Sequence, residues 1–178
     1  MDVQHVLLSP KGRIGPSDFG RGLILLTGVM MLVQIASALV SPAFGILQYP
    51  LVFSYVCVFG KRLHDGGRTA WLYLAFLAGY FFIVTVGSAF LLPVLSPDAF
   101  SMQAEFQKLA QSGGIAAAFD AMTQDAQELA RQSVLTTVVT FLIASGVLGL
   151  IGGRLKSDPS SNVYGPPTAR SDQPGTFS

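Results

Sequence analysis

The chain has 178 residues, of which 51% are apolar and 12% charged, with a formal net charge of +1 and a mean hydropathy of +0.53. Soluble domains carry about 25% charged residues, and no basic stripe interleaved with aromatics is present, so a water-soluble enzyme and a nucleic-acid-binding domain are both excluded. One cysteine, Cys57, allows no internal disulfide; two distant histidines, His5 and His64, and no Cys-x-x-Cys, His-Glu-x-x-His or phosphate-loop pattern leave no metal, cofactor or nucleotide site to assign.

Residues 1–21 are polar and carry Lys11, Arg13 and Arg21; Gly15-Pro-Ser-Asp-Phe19 reads as a turn and a helix start capped by Ser17 or Asp18. A first span follows over 22–40, long enough at about 1.5 Å per residue to cross a hydrocarbon core of about 30 Å. Ser41-Pro42 interrupts the apolar run, and 43–59 supplies a second span in which Pro50 is expected to kink the helix. Gln34 and Gln48 are the polar residues expected to face other helices.

Between the second and third spans lies the polar knot Phe59-Gly-Lys-Arg-Leu-His-Asp-Gly-Gly-Arg-Thr-Ala-Trp71. One charged side chain at the bilayer centre costs about 2.5 to 3.5 kcal/mol, so Lys61, Arg62, Asp65 and Arg68 belong at the membrane surface. The spacing predicts a helix running through Lys61 to Asp65, stopping at Gly66-Gly67 and restarting with Thr69 as cap. Asp65 at a helix carboxyl end is disfavoured by the dipole and needs a cation, from Arg62, Lys61 or Arg68. The charges either satisfy one another and fix topology or leave surplus cations that form an interfacial site for an anion such as a lipid phosphate.

The third span covers 71–95, with Trp71 and Tyr73 as interfacial anchors. Ser96-Pro97 opens the segment 96–133, read as two amphipathic helices joined at Gly113-Gly114, with Met102, Phe106, Leu109 and then Ile115, Phe119, Met122, Ala126, Leu129 forming a stripe. The segment is net acidic and is expected outside the cytoplasm, packed on this protein, lying on the membrane or pairing with a partner chain. The fourth span is 134–153, with Gly146, Gly149, Gly152 and Gly153 suited to close helix approach. Arg154 and Lys156 end it, and 157–178 reads as a mostly disordered cytoplasmic tail.

The fold expected is therefore an all-α integral membrane protein: a single four-span domain over 1–156 with an extracytoplasmic helical insertion. Lys11, Arg13, Arg21, Lys61, Arg62, Arg68, Arg154, Lys156 and Arg170 fall on one side against Lys108 and Arg131 on the other, nine against two, which places both termini in the cytoplasm.

Three motifs, Gly12-Arg-Ile-Gly15 with Phe19, Arg62-Leu-His-Asp65-x-Gly67-Arg68 with Trp71, and Asn162-Val-Tyr164-Gly165-Pro166, resemble the bacterial inner-membrane family called domain of unknown function 805. Pro16 stands where that family usually has a basic residue, Thr69-Ala70 replaces Ser-Gly, and Leu72 replaces a second Trp. The resemblance implies a multi-pass protein of a bacterial inner membrane, and by the topology above it sets all three motifs on the cytoplasmic side. Arg13, Lys61, Arg62, His64, Asp65 and Arg68 are the candidate polar cluster, with Tyr164 and a folded-back tail against it. Gly12, Gly15, Phe19, Gly67, Trp71, Tyr164 and Gly165 are the motif's structural positions.

Functionally, the expectation is a non-enzymatic scaffold or regulatory membrane protein that needs no cofactor and whose partners are membrane lipids, including anionic headgroups, a membrane protein or further copies of itself, and not nucleic acid. A transporter or channel component working as a homo-oligomer is the alternative, weakened because no span carries an ionisable residue. A lipid-acting enzyme using His64 beside Asp65 is the second alternative; neighbours on a helix point about 100° apart, which suits a relay poorly.

Overall fold

The computed structural model describes residues 2–168. Six α-helices are present among them: α1 (Val3–Leu8), α2 (Pro16–Leu39), α3 (Gln48–Asp65), α4 (Tyr73–Leu95), α5 (Pro97–Gln124) and α6 (Ala126–Gly153), with short 3₁₀ turns at Pro42–Leu47 and Ala70–Leu72 and no strand. Among the described residues four segments are long and apolar enough to cross a membrane: Pro16–Leu39, Pro42–Asp65, Ala70–Leu95 and Ala126–Gly153. Their order is the expected one, but the helices run past the charge-free stretches, because hydropathy marks what fits in lipid and hydrogen bonding marks where a helix stops.

Several local readings are corrected. α2 begins at Pro16, so Ser17 and Asp18 lie inside its first turn rather than at the cap; proline has no amide hydrogen to lose at that position. Pro50 lies in the first turn of α3, where no intrahelical partner is missing, and the break comes earlier, as a 3₁₀ turn capped by Ser41. α1, unforeseen in the polar lead-in, is capped by the Asp2 side chain accepting from the His5 amide.

Two compact units are distinguished. The first draws on 2–28, 49–79 and 145–168. Its core is Val6, Ile14, Phe19, Leu23, Leu26, Cys57, Val58, Phe59 and Leu63. The Phe19 ring stands edge-on to Phe59 at 5.1 Å between centroids, and Phe59 also meets Phe76 at 5.0 Å. α6 approaches α2 closely through its glycines: a methyl group added at Gly152 would lie 2.6 Å from Phe19 Cζ, and Gly149 faces Leu23. Gly146 and Gly153 face no side chain within 4 Å.

The second unit draws on Val29–Gln48 and Tyr80–Ala144. Ser96 is buried before Pro97, but its hydroxyl meets Thr136 Oγ1 at 2.8 Å instead of capping α5. Gln127 Nε2 donates to the carbonyls of Ala38 (2.7 Å) and Ser37 (3.3 Å) and so closes the carboxyl end of α2. Gly114 breaks α5 with φ 87°, where the glycine pair was expected to divide it. The stripe is lost just beyond it: Met102, Phe106 and Leu109 are half-buried, but Ile115 is 84% and Phe119 59% exposed and Met122 and Ala126 are exposed too, and of the expected positions named after Gly114 Leu129 alone is half-buried. The left-handed glycine rotates the second half, so Ala117, Ala118 and Ala121 take the covered face.

Candidate functional site

The polar knot of the first unit is built on the last turn of α3, where Lys61, Arg62, His64 and Asp65 are all buried. The helix ends in a left-handed glycine cap: Gly67, at φ +68°, donates to His64 O at 3.0 Å, and the Arg68 amide reaches Leu63 O at 2.9 Å. These are the two bonds of a Schellman motif, which glycine adopts without a Cβ penalty. Thr69 then caps the 3₁₀ turn that leads into α4, its hydroxyl accepting from the Trp71 amide.

Each buried cation in the knot closes the carboxyl end of a helix. Lys61 Nζ donates to His5 O and to Val6 O (2.8 Å), the free carbonyls of α1. Arg62 Nε donates to Gly152 O at 3.0 Å, and its Nη2 to Gly153 O at 3.3 Å and to Leu155 O, covering the end of α6; its Nη1 takes Ser157 Oγ at 3.0 Å and the Asp65 carboxylate. Arg13 Nη2 donates to Asp65 O (3.0 Å), the end of α3, and to Asp158 O (2.6 Å). Its Nη1 reaches Ser160 O (2.8 Å) and Gly165 O (3.3 Å), and its Nε reaches Asp65 Oδ1 (3.2 Å). A guanidinium has five N–H donors; Arg13 and Arg62 each have five acceptors within the chain. Neither has a hydrogen left for an external anion.

Among the described residues Asp65 is the one carboxylate that bridges them. Its Oδ1 faces Arg13 and Thr168 Oγ1, and its Oδ2 faces Arg62. The cation that Asp65 needed therefore comes from Arg62 and from Arg13, not from Lys61 or Arg68. His64 turns to other partners, its Nδ1 at 3.1 Å from Gly12 O and its ring stacked on Tyr164 at 3.8 Å with the planes 4° apart. His64 and Asp65 do not hydrogen-bond to one another, so the proton relay considered above has no geometry here.

Residues 157–168 do not run loose, and the expectation of disorder is corrected for them; 169–178, including Arg170, lie outside the described residues. Asn162 and Gly165 exchange backbone hydrogen bonds at 3.1 and 3.0 Å, while Asn162 Oδ1 accepts the Tyr164 amide and its Nδ2 reaches His64 O at 3.1 Å. Every fixed position of Asn-x-Tyr-Gly is thus engaged, and the variable one, Val163, is 93% exposed. The Asp158 amide closes on Asp65 O at 2.7 Å. The Asp158 carboxyl is held below its usual range by the Ser160 hydroxyl and amide, then by Asn162 and Arg13. Asp158, Ser160 and Thr168 were not anticipated as site residues, although Asp-Pro-Ser is a turn signal.

Of the six cluster candidates, five are buried here: Arg13, Arg62 and Asp65 in one hydrogen-bonded group, Lys61 on α1, and His64 on Gly12 and Tyr164. Arg68 is exposed. It lines a pocket of about 300 Å³ with Arg154, Lys156, Leu63, Gly66 and Leu155. Among the structural positions, Gly12 supplies the carbonyl for His64 at φ +95°, Gly15 lies against Thr168, Phe19 packs on Phe59, and Trp71 is 77% exposed. Among the described residues no group of three or more His, Cys, Asp or Glu is placed to hold a metal ion.

Among the described residues, fold and site together define an all-helical protein with four helices long and apolar enough to cross a membrane and a buried knot of carbonyl-capping cations in its first unit. Comparison with protein-family models, with curated proteins and with solved structures finds no match.

Proposed function

We propose that the chain is a multi-pass protein of a bacterial inner membrane, with both termini cytoplasmic, that acts as a non-enzymatic scaffold or regulatory subunit and docks anionic lipid or a membrane-protein partner on the face built around the knot. The observation that carries this reading is the complete internal use of Arg13 and Arg62. Catalytic cations and carboxylates keep a free hydrogen-bonding direction toward substrate; these are spent holding α1, α3, α6 and the tail together. Such a device makes one rigid face out of segments distant in sequence, which suits a docking platform. Membership in domain of unknown function 805 is part of the same proposal, supported by the meeting of all three motifs in one hydrogen-bonded group.

Native mass spectrometry of the protein gently extracted from its own membrane tests the reading. A stoichiometric lipid or protein partner is expected. Substrate turnover or solute flux by the purified chain in proteoliposomes would overturn it.

A further inference from the structure

We infer that Arg68, Arg154 and Lys156 form a binding site for the phosphate of an anionic phospholipid headgroup, separate from the buried knot. The inference rests on the membrane-docking reading above and deepens it by naming the site and the ligand.

The three residues line one pocket of about 300 Å³, together with Leu63, Gly66 and Leu155, a volume at the lower end for small-ligand sites. All three cations are exposed, and among the described residues none makes a side-chain hydrogen bond or an ion pair. The lining contains no carboxylate. Nearby acids are committed elsewhere, Asp65 to Arg13, Arg62 and Thr168, and Asp158 to Ser160 and Asn162. Three like charges around one concavity repel each other, and an anion between them reverses the sign of that interaction.

The ordinary explanation for cations here is that they neutralise helix carboxyl ends. Those ends are already closed by other groups. Gly152, Gly153 and Leu155 at the end of α6 give their carbonyls to Arg62. At the end of α3, Leu63 O accepts from the Gly66 and Arg68 amides, His64 O from Gly67 and Asn162, and Asp65 O from Asp158 and Arg13. Arg68, Arg154 and Lys156 are left over from that work.

A phosphate is the anion that fits several converging N–H donors, and arginine is the residue suited to it. Its source is argued from position. The pocket is built at the ends of α3 and α6, both long and apolar enough to cross a membrane, so it falls at headgroup depth. Trp71, three residues after Arg68 and 77% exposed, is a residue type that anchors at that depth. Leu155, half-buried, gives the pocket an apolar side for the glycerol and first acyl carbons.

The test uses the full-length protein, delipidated in detergent, with binding of phosphatidylglycerol, phosphatidylcholine and inorganic phosphate read by native mass spectrometry. Wild type is expected to bind phosphatidylglycerol in preference to phosphatidylcholine, and R68Q/R154Q/K156Q to bind it at least about tenfold more weakly. A matched charge-loss control, K11Q/R21Q/K108Q, is expected to stay within about twofold of wild type. Equal binding by the pocket variant, or an equal loss in the control, overturns the site. Inorganic phosphate that displaces the lipid and binds alone with equal affinity overturns the lipid assignment in favour of a soluble phosphate. Should the triple variant not fold, acetylation of Lys156 in wild type decides: protection by phosphatidylglycerol but not phosphatidylcholine supports the site, and equal labelling rejects it. Because no arm reads turnover or flux, loss of this site leaves the scaffold reading standing, and discovery of transport would leave the lipid site standing.

Discussion

The guanidinium of Arg13 lies 3.1 Å from the carboxylate of Asp65, both side chains nearly inaccessible and fifty-two residues apart in the chain. The same carboxylate meets Arg62 on its other oxygen. One anion thus serves two buried cations, and the remaining positive charge is spread over main-chain carbonyls at helix ends, where the helix dipoles are negative. Removing that anion leaves two guanidiniums facing each other without water. Asp65→Ala is expected to destabilise the fold by about 3 to 5 kcal/mol, the usual consequence of breaking a buried ion pair from one side. Thermal unfolding in detergent and protease sensitivity of 157–168 measure it. A variant as stable and as protected as wild type would show that the pairing contributes nothing.

Arg62 tests the capping role separately from charge. Lysine keeps the charge but has three donors on one atom in place of five in a planar fork, so it cannot serve Asp65, Ser157 and the carbonyls of Gly152, Gly153 and Leu155 together. Arg62→Lys is therefore expected to retain little of the function of Arg62. Hydrogen exchange should accelerate in the last turn of α6 and at Arg154 and Leu155, whose amides bond to Leu150 and Gly152. Unchanged exchange there would assign the residue to pairing with Asp65 alone.

The four apolar runs were legible because a span needs about 20 residues without charge, and the Gly66-Gly67 stop was legible because a left-handed cap wants glycine. What Lys61 binds, and what Arg62 binds besides Asp65, was not, since apart from the Ser157 hydroxyl those acceptors are backbone carbonyls, present at every residue and silent in sequence. Asp65 visibly needed a cation, but Arg13 came into view only through the motif resemblance. α1 escaped because its six residues are too few to show a period; its ends are fixed by Asp2 and by Lys61 from α3. Ile115 and Phe119 were placed in a stripe on the assumption that helical phase survives Gly113-Gly114, and the positive φ at Gly114 removes it.

Packing between α2 and α6 depends on an absent side chain. A Cβ at Gly152 would press within 2.6 Å of Phe19 Cζ, and the Phe19 ring, 1% exposed, is fixed edge-on against Phe59. Gly152→Ala is expected to cost about 1 to 3 kcal/mol through overpacking. Phe19→Leu made on the alanine background should recover part of the loss, although Phe19→Leu alone should destabilise. Additive losses in the double variant would show that the two sites do not touch.

The tail motif carries a position-by-position expectation. Tyr164 stacks face to face on His64, so Tyr164→Ala should remove about 0.5 to 1.5 kcal/mol of ring interaction beyond its buried area. Val163→Lys, at a side chain 93% exposed, should change stability by less than about 0.5 kcal/mol. Chemical denaturation of the pair of variants measures both, and equal effects would mean that the turn is not held by the ring.

Acid should release the tail through Asp158. Its folded-state pKa is depressed, first by the Ser160 hydroxyl and amide, so the carboxylate binds protons less readily docked than undocked. The stability it contributes is fully present above the free-aspartate value of about 3.9 and is lost as pH falls through the lower folded value. Protease accessibility of 157–168 is therefore expected to stay low at neutral pH and to rise below about pH 4. Asp158→Asn keeps the oxygen that accepts from Ser160 but not the titration. In that variant the acid-induced rise should be smaller, and the neutral-pH accessibility should be slightly higher because an amide oxygen is the weaker acceptor. Identical acid profiles for the two proteins would assign the release to another carboxyl group.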